Sequence, residues 1–263
     1  MSAPLSHSSF GPVLLLTITR TSSLNSFDSS LYLALISALT SAAMDDAVGA
    51  VVLTSEGKYF SSGADIQEQL AVAMSDSEEV DISSLPPFRF MQAMLAFPKP
   101  LVAAVNGPAI GIGVTLLLHC DLVIAAANAT FWVPFARAAI VPEFASSKLL
   151  PATCGLQASN ELLLLGRKVT AERAREMGIV TLISGAGGER VGEEAVSMMR
   201  NELLEAAPHG AATGLAFVAL TRLKRAEEMG LEEVCREEMR VIEKRMKKGQ
   251  VMDAAMAMLE SKL

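Results

Sequence analysis

Residues 10–19 run Phe-Gly-Pro-Val-Leu-Leu-Leu-Thr-Ile-Thr between Ser-rich flanks, an apolar, β-rich stretch that predicts a first strand. Apolar positions at helical spacing predict a helix over residues 30–44. Residues 49–54, 101–105 and 122–126 are short, almost wholly apolar runs. Strands covered on both faces have this composition, whereas half-exposed strands alternate. Residues 59–63 read as a loop, and the pattern turns helical from Asp65. Residues 75–87, rich in Ser, Asp and Glu and closing on Pro-Pro, read as a mobile loop. A helix over 88–96 is stopped by Pro98 and Pro100, and another opens at the glycine turn of Gly111 and runs to His119. This alternation argues for α/β packing. Past about Gly188 the strand pattern ceases, and residues 191–206, 214–229, 231–248 and 251–261 carry helical periodicity. The chain therefore divides into an α/β core over 1–190 and a helical region over 191–263.

Composition narrows the function classes. Hydrophobic residues at 51% and charged residues at 19% exclude a disordered chain. A net charge of −7 argues against a general nucleic-acid binder, yet leaves room for an anionic small ligand held by backbone N–H groups. Cys120, Cys154 and Cys235 are too few and too scattered for a disulfide framework and fit a reducing compartment. His7, His119 and His209 form no HExxH, so no metal site is expected. The most apolar window, 101–127, is broken by Asn106, Gly107, Pro108, His119 and Asp121, which makes it a buried core and not a membrane span. The N-terminus has the pattern of neither a signal nor a transit peptide. The last three residues, Ser261-Lys262-Leu263, match a peroxisomal address read by an import receptor. The alternative is that Leu263 completes an apolar stripe with Met252, Met256 and Leu259.

Nucleophile-elbow and P-loop motifs are absent. Gly111-Ile-Gly113 follows a strand and opens a helix, but Leu116 fills the third glycine position of a dinucleotide fingerprint. Gly185-Ala-Gly-Gly188 reads as a plain turn. Two segments stand out: Phe60-Ser-Ser-Gly-Ala-Asp-Ile66, and Phe97-Pro-Lys-Pro-Leu-Val-Ala-Ala-Val-Asn-Gly-Pro-Ala-Ile-Gly-Ile-Gly113. Each ends a strand in small residues and opens a helix, which exposes unpaired N–H groups. Facing each other, such turns bind a developing oxyanion; apart, they are ordinary tight turns. His119 and Cys120 end an apolar helix and read as packed core. Arg222, Lys224, Arg225, Arg240, Lys244, Arg245, Lys247 and Lys248 alternate with Glu, as on a solvated helical face.

Those two segments, with Cys120-Asp-Leu-Val-Ile-Ala-Ala126 after them, resemble the crotonase (enoyl-CoA hydratase/isomerase) superfamily over about residues 10–182. The resemblance implies a spiral of ββα units in two roughly perpendicular sheets. It implies a C-terminal helical region used in assembly and a homotrimer or dimer of trimers. The ligand would be an acyl-CoA thioester, with coenzyme A part of the substrate and no separate cofactor. Motif matching assigns the oxyanion-hole N–H groups to Ala64 and Ile112 and the CoA contacts to Ser62, Ala64, Asp65 and Ile66, with Asp65 as an N-cap or turn residue. One or two of the C-terminal basic residues would reach CoA phosphates.

Hydratases of the superfamily activate water with two glutamates. The matching positions here hold Thr115 and Phe135, which disfavours hydration. Glu143 remains. Residues 129–143 look like the peroxisomal-type Δ3-Δ2-enoyl-CoA isomerases, whose single catalytic glutamate lies eight residues after the Phe of a Pro-Phe pair, as Glu143 does from Phe135. The chain departs from the usual pattern at Phe144-Ala145 and at Arg20-Thr-Ser-Ser-Leu-Asn25. A pocket of Phe131, Trp132, Phe135, Leu117 and Thr115 is expected around Glu143, raising its basicity. The implied activity is migration of the double bond of 3-enoyl-CoA to 2-trans-enoyl-CoA in fatty acid β-oxidation, in a peroxisome or similar organelle such as a glycosome. Dienoyl-CoA isomerisation, thioester hydrolysis and a non-catalytic acyl-CoA-binding subunit stay open as alternatives.

Overall fold

The computed structural model of the chain describes residues 3–65, 67–68, 81–205, 218, 221–222 and 225–254. Its first apolar segment is part of a hairpin and not a lone strand. β1 (Leu5–Phe10) and β2 (Val13–Ile18) pair antiparallel, from Leu5↔Ile18 to Phe10↔Val13, and Gly11 reverses the chain at φ +61°. The strand expected over 10–19 therefore begins at Val13. The polar segment before it forms an exposed edge, where hydrophobic patterning is not required.

From β2 the sheet continues in parallel through β3 (Ala50–Ser55), β4 (Leu101–Val105), β6 (Leu122–Ala126) and β9 (Leu182–Ser184). Every residue of β3 and β4 is buried, because both faces of the sheet are covered. Successive side chains point to opposite faces. Val51, Leu53, Leu101, Ala103 and Val105 join the larger core, with helices Ser29–Met44 and Pro86–Ala96. Ala50, Val52, Val102 and Ala104 join a smaller cluster under helix Val191–Met198. Residues on both sides of position 190 thus share one packed layer.

A second sheet consists of β5 (Ala109–Ile110), β7 (Thr130–Trp132) and β8 (Val169–Thr170). These strands and β9 are too short to show a period in the sequence. The helix expected from Gly111 is one α-turn, Ile112–Thr115, followed by a 3-10 turn, Leu116–His119. The architecture is the expected α/β type, with a long C-terminal helix, Leu231–Lys247. Residues 75–80 of the loop expected over 75–87, much of the helix expected over 214–229 and the tail beyond 254 lie outside the described residues; residues 81–87 are not a plain loop but hold a 3-10 turn, Ile82–Ser84, and the first residues of helix Pro86–Ala96. Among the described residues no helix is long and apolar enough to cross a membrane.

Candidate active site

The two small-residue turns pack directly on each other. Ser61 and Ala109 form a parallel bridge, and the Ile110 N–H donates to the Ser61 carbonyl at 2.9 Å. Phe60 and Ser61 N–H groups donate to the Pro108 carbonyl at 3.0 and 3.2 Å. Side chains at the contact would separate the turns: a Cβ on Gly107 would lie 2.2 Å from the Lys58 carbonyl oxygen, and one on Gly113 2.8 Å from Ser61 Cβ.

This packing leaves two N–H groups free. Ala64 bridges Phe27 in parallel: Phe27 donates to the Gly63 carbonyl and Asp65 donates to the Phe27 carbonyl, at 2.8 and 2.9 Å. In that pattern the Ala64 N–H points away from Phe27. Ile112 is the first residue of its α-turn, so its N–H has no acceptor within the turn. Gly111 aims it, at φ 54° and ψ −119°, a conformation suited to glycine. Among the described residues neither N–H has an acceptor, and Ala64 and Ile112 border the same cavity. Asp65 caps the next turn, its Oδ1 accepting from the N–H groups of Gln67 and Glu68 at 3.1 and 3.4 Å.

Glu143 borders that cavity too. Its Oε1 is 3.8 Å from the position a Cβ on Gly111 would take, so the carboxyl sits beside the turn that carries the Ile112 N–H. Burial, and secondarily the charge of Glu238, pushes its pKa up to about 7. A carboxyl with that affinity takes and returns protons near neutrality. Phe144 and Ala145 follow at φ +61° and +57°, left-handed conformations that L-residues adopt under constraint. The constraint is visible. His119 Nε2 lies 2.8 Å from the Phe144 carbonyl, and Glu238 accepts from the Ala145 and Ser147 N–H groups at 2.7 and 2.9 Å. Burial pushes His119 down to about 4, so the neutral ring donates Nε2–H to that carbonyl, in keeping with a packed role.

The cavity holds about 200 Å³, and its apolar wall includes Phe27, Tyr32, Ile82, Phe144 and Met239. Phe90 backs this wall, its ring centroid 5.8 Å from Tyr32 and 5.6 Å from Phe144. The pocket expected from sequence is corrected here: Phe131, Trp132, Phe135, Leu117 and Thr115 do not line the cavity that Glu143 borders. Phe131, on β7, Phe135, just after it, and Leu117, in the 3-10 turn after Ile112, are all core residues. Thr115 is fully buried, its hydroxyl without a partner among the described residues. Trp132 donates Nε1–H to the Gly166 carbonyl at 2.8 Å, with Arg137 and Lys168 over its ring. Nearness to Glu143 in sequence was no guide to nearness in space. The wall that sequence reading missed had one visible trace, the spacing of Cys235, Met239, Ile242 and Met246 along helix Leu231–Lys247.

Of the expected CoA contacts, Ala64 and Asp65 border the cavity. Ser62 spends its N–H on the Leu24 carbonyl and its hydroxyl on the Ser23 carbonyl. Ile66 lies outside the described residues, as do Lys224 and Ser261-Lys262-Leu263. Of the basic residues read as one solvated face, Arg240, Lys244, Lys247 and Lys248 are exposed as expected, and three others are corrected. Arg222 is buried against Asp121 and the Phe97 carbonyl, Arg225 donates to Leu118 and Arg245 to Ala139. These three tie the C-terminal region to the core.

Known proteins share the sequence pattern and the fold of this chain. The family description "Enoyl-CoA hydratase/isomerase" matches residues 10–262. Over 63% of its length the chain is 38% identical to a mouse protein named enoyl-CoA delta isomerase 3, peroxisomal, covering 52% of that protein. Over 65% it is 39% identical to rat enoyl-CoA delta isomerase 2, covering 44% of that protein. The chain thus spans about half the length of the curated relatives it matches. A crystal structure of an enoyl-CoA hydratase/isomerase from Pseudoalteromonas atlantica T6c superimposes with a TM-score of 0.86 at 31% identity, covering 98% of this chain and 97% of that one. With the family pattern running through nearly all of its residues and its fold shared end to end with a solved member, the chain belongs to the crotonase superfamily, the enoyl-CoA hydratases and isomerases.

Proposed function

We propose that this protein is a Δ3-Δ2-enoyl-CoA isomerase, converting 3-enoyl-CoA to 2-trans-enoyl-CoA in fatty acid β-oxidation. One observation carries the reading: the carboxyl of Glu143, its pKa pushed up to about 7 by burial, borders a largely apolar cavity together with two backbone N–H groups that have no acceptor among the described residues. Moving the double bond requires a proton to leave carbon 2 and one to arrive at carbon 4. The Glu143 carboxylate takes the first proton. Negative charge then develops on the thioester oxygen of a dienolate, where the Ala64 and Ile112 N–H groups stabilise it, by about 3–4 kcal/mol for each donor. Protonated Glu143 returns the proton at carbon 4. The apolar wall withholds water, and Thr115 and Phe135 supply neither of the acids that hydration uses.

Coenzyme A is part of the substrate in this reading, and no other cofactor takes part. Its thioester end lies against Ala64 and Asp65, and Ser62 and Ile66 flank them in sequence. A peroxisome-type organelle is supported by Ser261-Lys262-Leu263 and by the printed name of the mouse relative. A homotrimer or dimer of trimers is the assembly proposed, on the family likeness. The test is incubation with a 3-enoyl-CoA, following the conjugated 2-enoyl thioester, beside a 2-enoyl-CoA hydration assay. Double-bond migration without hydration is the expected result. Hydration, hydrolysis of the thioester, or CoA binding without turnover would each replace this reading.

A further inference from the structure

The mechanism above leaves one buried carboxylate unused. On helix Leu231–Lys247 the side chains of Glu232, Glu233 and Glu237 are 53%, 72% and 64% exposed, whereas Glu238 is 6% exposed. A buried carboxylate needs partners. Glu238 makes no ion pair among the described residues; its two oxygens accept from the Ala145 and Ser147 N–H groups, at the start of helix Ser146–Cys154. Those N–H groups belong to the turn whose left-handed residues immediately follow Glu143. Two helical turns further on, Arg245 donates to the carbonyl of Ala139 at 2.7 Å, and Ala139 is itself left-handed at φ +53°. One helix thus grips the Glu143 loop on both sides.

We propose that Glu238 is a positioning residue for Glu143: it clamps the turn at Phe144 and Ala145 so that the Glu143 carboxyl stays beside Gly111 and Ile112, and it sets a second negative charge behind that carboxyl. The raised proton affinity of Glu143 agrees, since Glu238 is its second cause after burial. The other groups facing the pair are Tyr32 from helix Ser29–Met44, Asp65 and Glu68 beside the Ala64 turn, His119 on the Phe144 carbonyl, and Cys235, Glu243 and Arg245 on the C-terminal helix. Burial pushes Tyr32 up, Cys235 up to about 12 and His119 down to about 4, so none of these three changes charge near neutrality.

The inference rests on Glu143 as the base only in its kinetic arm, so the test has two arms on the full chain. In Glu238→Gln the charge is gone and one of the two acceptors becomes an amide N–H facing an N–H. Carboxyl titration by NMR of the ¹³Cδ-glutamate-labelled chain, with Glu143 assigned from the signal lost in Glu143→Gln, reads the coupling directly. The Glu143 midpoint falls by about one pH unit in Glu238→Gln. Turnover of 3-enoyl-CoA falls about tenfold with KM nearly unchanged, and the acid limb of the pH profile moves to lower pH. Lowered thermal stability with an unmoved Glu143 midpoint would overturn the proposal. Should Glu238→Gln fail to fold, Glu238→Asp decides: the shorter side chain cannot hold both the Ala145 and Ser147 N–H groups, so the Glu143 midpoint moves and turnover falls with KM nearly unchanged, and an unmoved midpoint with unchanged turnover overturns the proposal. A wild-type chain without isomerase activity would refute the functional reading while the titration arm still decided this one.

Discussion

At Glu143 burial and the Glu238 charge raise a carboxyl from 4.5 to about 7. The folded chain therefore holds this proton more tightly than the unfolded chain does. The resulting stabilisation is full below the unfolded value and is lost as pH rises through about 7. Glu143→Gln keeps the shape and abolishes the titration, so the wild-type decline in thermal stability between pH 5 and 8 flattens in the variant, as calorimetry across that range would measure. Acyl-CoA binding survives, and turnover falls by about 10²–10⁴-fold. Near-wild-type turnover would remove Glu143 from the mechanism. Thr115 and Phe135 make the opposite point. Both are buried away from the cavity, so Thr115→Glu with Phe135→Glu places two carboxylates in the core. The double variant loses stability and gains no hydration of 2-enoyl-CoA; robust hydration would mean that these positions reach the cavity. Glu143, Ala64 and Ile112 were legible because each lies inside a continuous motif. Tyr32, Phe27 and Met239 were not, since they meet only when separate segments pack.

The turns at residues 60–65 and 107–113 work as one element, because the spacing of the two free N–H groups depends on their contact. Gly107 is the tightest point of that contact, with backbone carbonyl and no flexible side chain against it. Gly107→Ala costs about 1–3 kcal/mol of stability and, if the proposed mechanism holds, lowers turnover as well, because an N–H displaced from the proposed oxyanion position loses its effect. Gly185→Ala is the control, since nothing lies within 4 Å of its added Cβ. Equal thermal stability and equal turnover in the two variants would show that the turns are not coupled. Sequence patterning revealed that both turns open helices. It did not reveal the bridge from Ser61 to Ala109, which pairs residues of two different loops.

Across the whole molecule, the C-terminal region changes meaning most between sequence and structure. Its charge pattern reads as a solvated face, yet Arg222, Arg225, Glu238 and Arg245 hold it to the core and to the Glu143 loop. The terminal Ser261-Lys262-Leu263 belongs to this scale as well. Removing it shifts an N-terminally tagged chain from a peroxisome-type organelle to the cytosol, with turnover and melting temperature of the purified protein unchanged. Unaltered localisation, or a large loss of stability, would favour a packing role for Leu263. The sequence by itself determined the α/β class and the doubly covered strands, and its likeness to the family singled out three positions that the fold brings to one cavity. Burial on both faces dictates composition directly, and a backbone donor or a lone acid is carried by its local motif. Tertiary structure alone decided the cavity wall, the short second sheet and the choice of Glu238 among several glutamates on one helix. Each depends on which distant segment packs against it, and no local pattern records that.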